Sequence, residues 1–262
     1  YMHDYGYRSG INQTMKMHLK GIVQHVQRIV DLHTGDVVLD IGSNDATLLK
    51  YYKTPGLRKI GIDPTGEQFS KYYTKDVELI SDYFSSSSYI SVCHNKRAKV
   101  ITSIAMFYDL EAPVIFAKEI KEILDPNGIW VLEQSYMPAM LKMNSYDTVC
   151  HEHLEYYSLK QIDWILRKND LKILDVELND IYGGSFRVYA CSKNSLFKPA
   201  KEKIDLIFSN EEKVGLGSEQ PYKEFRERVL RNRDELHHLL ITQKAMGKSI
   251  YAYGASTKGN VI

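Results

Sequence analysis

Several features that would assign this chain of 262 residues to a functional class are absent from it. It has only three cysteines (Cys93, Cys150 and Cys191) and no Cys-x-x-Cys pair, so neither a structural zinc site nor a disulfide framework is predicted. Widely separated cysteines in odd number favour a reducing compartment, and we expect a cytoplasmic protein. No apolar run approaches the roughly 18 residues that a membrane span needs, so no membrane partner is expected.

The chain also lacks an excess of either charge. Its 34 basic and 33 acidic residues give a formal net charge of +1, and the basic residues form no stripe. This excludes the electrostatic footprint of a nucleic-acid-binding protein. A hydrophobic content of 44% is ample for a core, and the length fits one large domain or one and a half ordinary ones. We therefore expect a globular protein with a small-molecule substrate.

Two nucleotide-binding motifs are missing as well. Gly42 is followed by serine and asparagine rather than by the glycines of Gly-x-Gly-x-x-Gly, and no Gly-x4-Gly-Lys-[Ser/Thr] occurs. Residues 37–45, Val-Val-Leu-Asp-Ile-Gly-Ser-Asn-Asp, instead predict a buried strand and a tight turn at Gly42, and residues 46–52 predict the first turns of a helix. This arrangement presents backbone N–H groups and a helix N-terminus to a ligand at the carboxyl edge of a sheet.

Acidic residues are the most informative part of this segment. Asp40 and Asp45 flank the turn, and Asp63 ends the next predicted strand, about 20 residues later, where an acidic side chain reaches a ribose diol. A phosphate-binding turn avoids carboxylates, whereas a cationic or hydroxyl-rich ligand is suited by them. The pattern therefore favours S-adenosylmethionine over a dinucleotide. An NAD-dependent oxidoreductase is disfavoured, and a doubly wound domain without a cofactor is the less favoured structural alternative.

Strand and helix patterns alternate along the chain, which predicts βαβ crossovers and an α/β fold with a doubly wound parallel sheet. A further helix is expected at 159–168, an antiparallel strand pair at 171–178 and 184–191, and two amphipathic helices within 198–246. Residues 134–157 are expected to form a long functional loop. The alternating part has predicted strands at 36–41, 58–62, 77–80, 98–103 and 128–133, and predicted helices at 11–32, 45–52, 66–73, 86–94 and 112–124.

The second group of chemically active residues is His151-Glu152-His153. Two histidines on one loop, with only Glu152 or Glu155 as a third ligand, are weak evidence for zinc, and no metal site is predicted. A surface loop of polar residues is the plain alternative. A catalytic interpretation is favoured, because histidine beside glutamate supplies a tunable base near neutral pH.

Five segments of the chain, taken together, resemble a known family, the sugar C-methyltransferases that act on nucleotide-linked 4-keto deoxysugars. The resemblance covers nearly the whole chain. The segments are Tyr-Gly-Tyr-Arg-Ser-Gly at 5–10, Leu-Asp-Ile-Gly-Ser-Asn-Asp at 39–45, His-Glu-His-Leu-Glu-Tyr-Tyr at 151–157, Gly-Gly-Ser-Phe-Arg-Val-Tyr at 183–189 and Tyr-Gly-Ala-Ser-Thr-Lys-Gly at 253–259.

The resemblance implies a class I methyltransferase domain with a Rossmann-like doubly wound sheet at 34–195. An N-terminal lead and helix would occupy 1–33, and a helical segment with the truncated start of a second Rossmann-like domain would occupy 196–262. The family also has an N-terminal zinc-binding domain, so we expect this chain to be a fragment that lacks it and most of the C-terminal domain.

The resemblance also implies residue roles. Gly42 and Asp63 would hold S-adenosylmethionine, with Asp82 and either Tyr83 or Phe84 beside the adenine and Tyr7 near the methyl-donor pocket. The sugar site would be lined by His151, Glu152 and His153.

One position departs from the family pattern. Members that methylate C3 of the sugar commonly have a histidine immediately before the Gly-Gly-Ser strand, whereas this chain has Tyr182. Tyrosine has an ordinary pKa of about 10. We therefore expect His153 to be the base and Tyr182 to donate to the ketone oxygen, or else a different substrate and reaction. The remaining alternatives are an O- or N-methyltransferase and a non-catalytic cofactor-binding module.

Overall fold

A single seven-stranded sheet organises the computed structural model, which describes residues 6–94 and 96–252 apart from the side chain of Tyr182. The strand order is β3-β2-β1-β4-β5-β7-β6. Strands β1 to β5 are parallel, and β7 runs antiparallel to both of its neighbours. This confirms the predicted α/β class and the class I methyltransferase sheet. The strands are β1 (Val37–Ile41), β2 (Arg58–Ile62), β3 (Val77–Ile80), β4 (Ala98–Ile104), β5 (Leu124–Ser135), β6 (Leu171–Asn179) and β7 (Ser185–Ser192).

The described residues contain eight α-helices, and helices cover the sheet on both faces. On one face α1 packs through a stripe that includes Leu19, Ile22 and Val26, which recur at helical spacing. On the other face lie α4 and α6. The helices are α1 (Gln13–Ile29), α2 (Gly66–Phe69), α3 (Ser86–Cys93), α4 (Pro113–Ile123), α5 (Met137–Met143), α6 (Leu159–Lys168), α7 (Lys201–Val214) and α8 (Gln220–Ala245).

The parallel strands explain why the central sequence is so apolar. Every residue of β1 is buried, because helices cover both faces of the sheet around it. Asp40 lies in register with Gly61 of β2 and Thr102 of β4, and its carboxylate is buried against the Thr102 hydroxyl. The order of the strands along the sheet reverses between β1 and β4, and ligands of such sheets bind at this point, at the carboxyl ends of the strands.

Three local predictions were wrong in detail. Residues 46–52 form no α-helix, only a 3₁₀ turn at Leu49–Tyr51. Ala46 has φ 58°, which no right-handed helix allows, and the Asp45 carboxylate accepts the N–H of Thr47 at 3.2 Å in a local turn instead. The helix predicted at 66–73 divides into α2 and a 3₁₀ turn at Ser70–Tyr72.

The third difference concerns residues 134–157, which were predicted as a loop but contain α5. Pro138 lies in the first turn of α5, where its missing N–H costs nothing, and Asn144 ends the helix with φ 57°.

The two predicted helices of 198–246 are present as α7 and α8. Within the described residues, no helix combines the length and the apolar composition of a membrane span.

Candidate functional site

The acidic turn, residues 42–46, leaves β1 at the carboxyl edge of the sheet with an unusual backbone. Three alternate residues have positive φ: Gly42 at 73°, Asn44 at 49° and Ala46 at 58°. Asparagine tolerates this region, but alanine pays a steric penalty there. A Cβ on Gly42 would lie 3.3 Å from Cγ of Met106, so any other residue would also press against this side chain. The turn thus has the shape of a glycine-rich ligand turn, although only one of the three residues is glycine.

Asn44 is the centre of the contacts that hold this turn. Its N–H donates to Oδ2 of Asp63 at 2.7 Å, and its carbonyl accepts the Tyr73 hydroxyl at 3.0 Å. Its side-chain amide donates to the carbonyl of Tyr7 and accepts the N–H of Ser9, each at 3.0 Å. Asn44 therefore connects the turn to β2 and to the chain that precedes α1.

That preceding chain, residues 6–11, forms a strap across the acidic turn. Gly10 donates its N–H to Oδ2 of Asp45 at 3.0 Å, and Arg8 lies 3.6 Å from the same oxygen. The Arg8 guanidinium also stacks over Tyr72, 4.1 Å from the ring centroid. The structure thus brings Tyr7 and Asp45 to the turn, as expected of cofactor-site residues. Their roles toward a cofactor stay predictions.

Asp63 is buried at the end of β2 and faces the turn. Its Oδ1 accepts the Thr65 N–H at 2.7 Å and the Thr65 hydroxyl at 2.5 Å, and its Oδ2 accepts the N–H of Asn44. A carboxylate offers about four acceptor positions, so one remains for a ligand hydroxyl. No cationic side chain of residues 6–94 and 96–252 forms an ion pair with Asp63. This uncompensated carboxylate fits the ribose and sulfonium of S-adenosylmethionine better than a phosphate.

Asp40 is also buried, but its carboxylate is directed towards Thr102 on the neighbouring strand β4. Its Oδ1 accepts the Thr102 hydroxyl at 2.5 Å. Burial raises the pKa of Asp40 to about 7, the Thr102 hydrogen bond opposes the rise, and the negative charge of Asp63 adds to it. Asp40 therefore changes its charge near neutral pH. Its contact with Thr102 is structural, and a direct role toward the cofactor stays a prediction.

Asp82 and Tyr83 follow β3 at the same sheet edge, two strands from β1. Both are exposed, and Oδ1 of Asp82 accepts the N–H of Tyr83 at 2.7 Å. Phe84 instead turns inward against Phe116, with ring centroids 5.0 Å apart. The position suits the adenine end of a cofactor, and the choice between Tyr83 and Phe84 stays open.

The His-Glu-His loop, residues 151–153, is attached to the segment that follows β4. The N–H groups of Leu154 and Glu155 both donate to the carbonyl of Tyr108 at 3.0 Å. The ring of His153 lies against the Tyr108 ring, with centroids 4.3 Å apart. These contacts hold the loop at the carboxyl edge next to β1, on the cofactor side of the sheet.

The hydrogen bond of His153 settles its tautomer. Nδ1 lies 2.8 Å from the carbonyl oxygen of Thr148, which can only accept, so Nδ1 carries the hydrogen. In the neutral ring, Nε2 then has the lone pair and can accept a proton. His151 is exposed and Glu152 is half-buried in the same loop. The geometry suits His153 as a base, and its catalytic role stays a prediction.

Asp109 is a residue of this site that sequence reasoning missed. It ends a 3₁₀ turn at Phe107–Asp109, one residue after Tyr108, and its Oδ1 is buried with no hydrogen-bond partner among the described residues. Burial raises the pKa of Asp109 to about 7, and the charge of Glu152 adds to the rise. The signal was weak, because Asp109 lies several residues beyond the predicted strand at 98–103, whereas Asp63 directly follows its strand.

The structure does not describe two parts of the predicted site. The backbone of Tyr182 lies in a 3₁₀ turn at Ile181–Gly183, just before β7, but its side chain is outside the described atoms. The Tyr-Gly-Ala-Ser-Thr-Lys-Gly segment at 253–259 also lies outside the described residues. The proposed donor role of Tyr182 therefore stays a prediction.

A second polar cluster lies on the opposite face of the sheet, between α1 and strands β5 to β7. Glu133 accepts hydrogen bonds from Arg187 at 2.8 Å and Asn179 at 3.0 Å, and contacts His18. Burial alone would raise the pKa of Glu133, but the contacts with His18 and Arg187 outweigh it, and the pKa is lowered. This cluster fixes α1, and hence the strap, to the sheet.

Among the described residues, one group of three could supply metal ligands, namely His25, Asp175 and Glu177. Lys203 lies 2.9 Å from Asp175, and Arg187 lies 3.0 Å from Glu177. The two carboxylates are therefore already neutralised by cationic side chains, and the group is explained as an ion-pair cluster. It does not include His151 or His153.

Comparison with known proteins agrees with this geometry. The model of a methyltransferase domain matches residues 15–176, which is more than half of the chain. The chain belongs to the methyltransferase domain family. A second model, described as a C-methyltransferase C-terminal domain, matches residues 180–262. The family match confirms the prediction of a methyltransferase that uses S-adenosylmethionine.

Individual relatives are more distant. The C-methyltransferase NovU of Streptomyces niveus is 29% identical over 252 residues, which are 92% of this chain and 59% of the relative. The chain thus spans about three fifths of that protein. The resemblance to C-methyltransferases predicted from the sequence motifs is confirmed at this level by the relative and by the C-terminal domain model, and the other family model confirms a methyltransferase domain.

Solved structures share the fold at low sequence identity. A chain from the complex of the Haloferax volcanii Trm112 methyltransferase activator with a putative methyltransferase aligns with TM-score 0.55 and 15% identity, over 70% of this chain and 94% of that one. The plantazolicin methyltransferase BpumL, solved with SAH and a desmethylPZN analogue, aligns with TM-score 0.52 and 14% identity, over 70% of this chain and 86% of that one.

Proposed function

We propose that this methyltransferase transfers a methyl group from S-adenosylmethionine to a carbon of a nucleotide-linked 4-keto deoxysugar. The observation that carries the proposal is His153, whose Nδ1 is committed to the Thr148 carbonyl and whose ring is held by Tyr108 at the cofactor edge. Transfer to oxygen or nitrogen has less need of a strong base, whereas transfer to carbon must first remove a C–H proton. The similarity to a C-methyltransferase supports the same choice.

The residues of the acidic turn would hold the cofactor. Asp63 has an acceptor position for the ribose diol, Gly42 allows close approach of the backbone, and Tyr7 in the strap covers the turn. Bound S-adenosylmethionine supplies an electrophilic methyl group on a positively charged sulfur. The uncompensated charge of Asp63 favours that cation, and burial strengthens the attraction between the charges.

Removal of the substrate proton would be carried out by the His-Glu-His loop. A ketone makes the hydrogen on the neighbouring carbon acidic, and Nε2 of His153 removes it as a proton. Negative charge then develops on the ketone oxygen, where Tyr182 or protonated His151 would donate a hydrogen bond. The resulting enolate carbon would accept the methyl group that bound S-adenosylmethionine supplies, so that a carbon–carbon bond forms as the carbon–sulfur bond breaks and a neutral thioether leaves. Positioning of the two reactants contributes much of the remaining acceleration.

On this proposal the protein takes part in deoxysugar biosynthesis in the cytoplasm. We also propose the chain organisation that the motifs predict. An N-terminal lead and helix at 1–33 precede the methyltransferase domain at 34–195, and residues 196–262 form a helical segment with the start of a further domain.

The test is methyl transfer by the full-length protein to a panel of nucleotide-linked 4-keto deoxysugars, with S-adenosylmethionine labelled in its methyl group. Mass spectrometry should show gain of one labelled methyl group, and NMR should place it on carbon. The matched 4-hydroxy sugars should not react, because they cannot form an enolate. His153→Gln should be inactive, whereas His33→Gln, which changes an exposed histidine before β1, should behave as the wild type. A label on oxygen or nitrogen would refute the proposal.

A further inference from the structure

Gln134 is an unusual buried residue near the carboxyl end of β5. It is 1% exposed, yet neither its amide nitrogen nor its amide oxygen has a hydrogen-bond partner among the described residues. Buried polar groups are almost always paired, and leaving one unpaired costs stability. On the adjacent strand, Ser103 is equally buried but accepts the indole N–H of Trp130 at 2.9 Å. The unpaired amide of Gln134 therefore requires an explanation.

The alternation of side chains along β5 tells which way Gln134 points. Its neighbour Glu133 faces α1, where it contacts His18, so Gln134 faces the opposite side of the sheet. Gln134 lies in register with Phe186 of β7, which packs against Tyr136 on that side. The surrounding cluster is aromatic, and it supplies no polar partner to the amide.

A second unpaired polar group belongs to the same cluster. Tyr157 is 4% exposed, and its hydroxyl also has no partner among the described residues. Tyr157 pairs with Tyr136 in an isolated β-bridge, two residues beyond Gln134 on β5, and its ring packs against Phe107. Two unpaired polar side chains, an amide and a phenol, thus accompany the same aromatic cluster.

This position is close to both parts of the candidate site. The carbonyl of Glu133 accepts the N–H of Ala105 at 2.7 Å, and the next residue, Met106, packs against Gly42 of the acidic turn. Tyr157 ends the same sequence segment, 151–157, that contains the His-Glu-His loop. Gln134 therefore lies at the sheet edge beside the cofactor turn, on the face that the loop covers.

We propose that Gln134 and Tyr157 form a polar subsite that binds a hydroxyl group of the sugar ring. The amide has two hydrogens to donate and one oxygen that accepts, and the phenol can do either. A ligand group that satisfies them must both donate and accept, as a ring hydroxyl does. A phosphate could only accept, and an ammonium could only donate. This proposal rests on the proposed function, since it assigns the residues that recognise its substrate.

The subsite predicts opposite effects on stability and on binding. In Gln134→Leu, a side chain of similar size replaces the unpaired amide, so the ligand-free protein should unfold at a higher urea concentration. The same change should raise KM for the 4-keto sugar by at least about tenfold, because a substrate hydroxyl loses its partner. Tyr157→Phe removes only the hydroxyl and should show the same two effects. Ser103→Ala, which removes a paired buried hydroxyl, should lower stability.

Sugar analogues complete the experiment. The KM penalty of Gln134→Leu should disappear for the deoxy analogue that lacks the contacted hydroxyl, which also identifies that hydroxyl. Affinity for S-adenosylmethionine, measured by calorimetry, should stay within about twofold of the wild type, as expected where no cofactor contact changes. A less stable Gln134→Leu with unchanged KM would overturn the proposal, because the amide would then be paired within the protein. Failure of the wild type to methylate any 4-keto sugar would instead refute the proposed function, while the stability comparison would still decide whether the amide is unpaired.

Discussion

Asp40 offers a quantitative test of the buried charge in the acidic turn. Burial raises its pKa from 3.8 to about 7, so the folded protein retains a proton that the unfolded chain has released over this interval. Stability falls with pH wherever the folded state binds more protons. The contribution of Asp40 is therefore most favourable below pH 4 and is lost as the pH rises to about 7. Asp40→Asn keeps the acceptor for Thr102 but cannot ionise.

The size of the effect follows from the two pKa values. At 1.36 kcal/mol per pH unit, full ionisation of Asp40 costs about 4 kcal/mol of folding free energy. About 2.5 kcal/mol of that loss falls between pH 5 and pH 8. The ligand-free Asp40→Asn variant should therefore show a pH dependence weaker than that of the wild type by about this amount.

Urea unfolding followed by circular dichroism at pH 5, 6, 7 and 8 measures the difference. Asp205→Asn on the exposed side of α7 is the matched control and should follow the wild-type curve. Asp109 also has a raised pKa, so some pH dependence should remain in every variant. Parallel curves for the wild type and Asp40→Asn would refute the reasoning, since they would show that Asp40 ionises alike in both states.

Three further predictions concern the cofactor, the base and metals. Asp63→Ala should weaken S-adenosylmethionine binding by about 1–3 kcal/mol, the loss expected for a charged hydrogen-bond partner, as measured by calorimetry; tight binding of NAD and none of S-adenosylmethionine would contradict this. His153→Gln should abolish both methyl transfer and exchange of the acidic substrate hydrogen with deuterated water, while Tyr182→Phe should slow both by about 10²–10³-fold, as for one lost oxyanion donor. Exchange that survives in His153→Gln but not in Tyr182→Phe would reverse the two roles. Elemental analysis should find no stoichiometric transition metal bound by His151 and His153, because the loop offers only two imidazole ligands; a metal lost in His153→Ala would disprove this.

Much of the fold could be predicted because its signals are local. Apolar runs of strand length predicted β2 and β3 at the residues where they occur, and helical spacing predicted α6. The alternation of strands and helices then predicted a parallel sheet. Each helix returns the chain to the end of the sheet where the previous strand began, so the next strand runs in the same direction. The end of the acidic turn was not predictable in this way. Ala46 has high helix propensity, yet it has positive φ in a turn that the hydrogen bond between Asp45 and Thr47 closes.

A site residue could be predicted where an acidic residue directly follows a predicted strand, as at Asp63. Other contacts depend on pairing between distant segments. Nothing in the sequence around Asn44 indicates that it bonds both Ser9 and Tyr73. The buried amide of Gln134 was likewise hidden, because a glutamine in a strand is ordinarily read as a solvent-facing residue.

The positive φ values of the acidic turn have a consequence for the speed of cofactor binding. Asn44 and Ala46 restrict the backbone more than glycine would, and contacts with the strap, β2 and Tyr73 select one of the few conformations left. These contacts hold the turn in one conformation before any ligand arrives, and we expect that conformation to be the one that binds. When nearly every molecule is competent to bind, apparent affinity equals intrinsic affinity, and no slow rearrangement precedes or follows the encounter. Association should therefore proceed in a single phase that is linear in cofactor concentration.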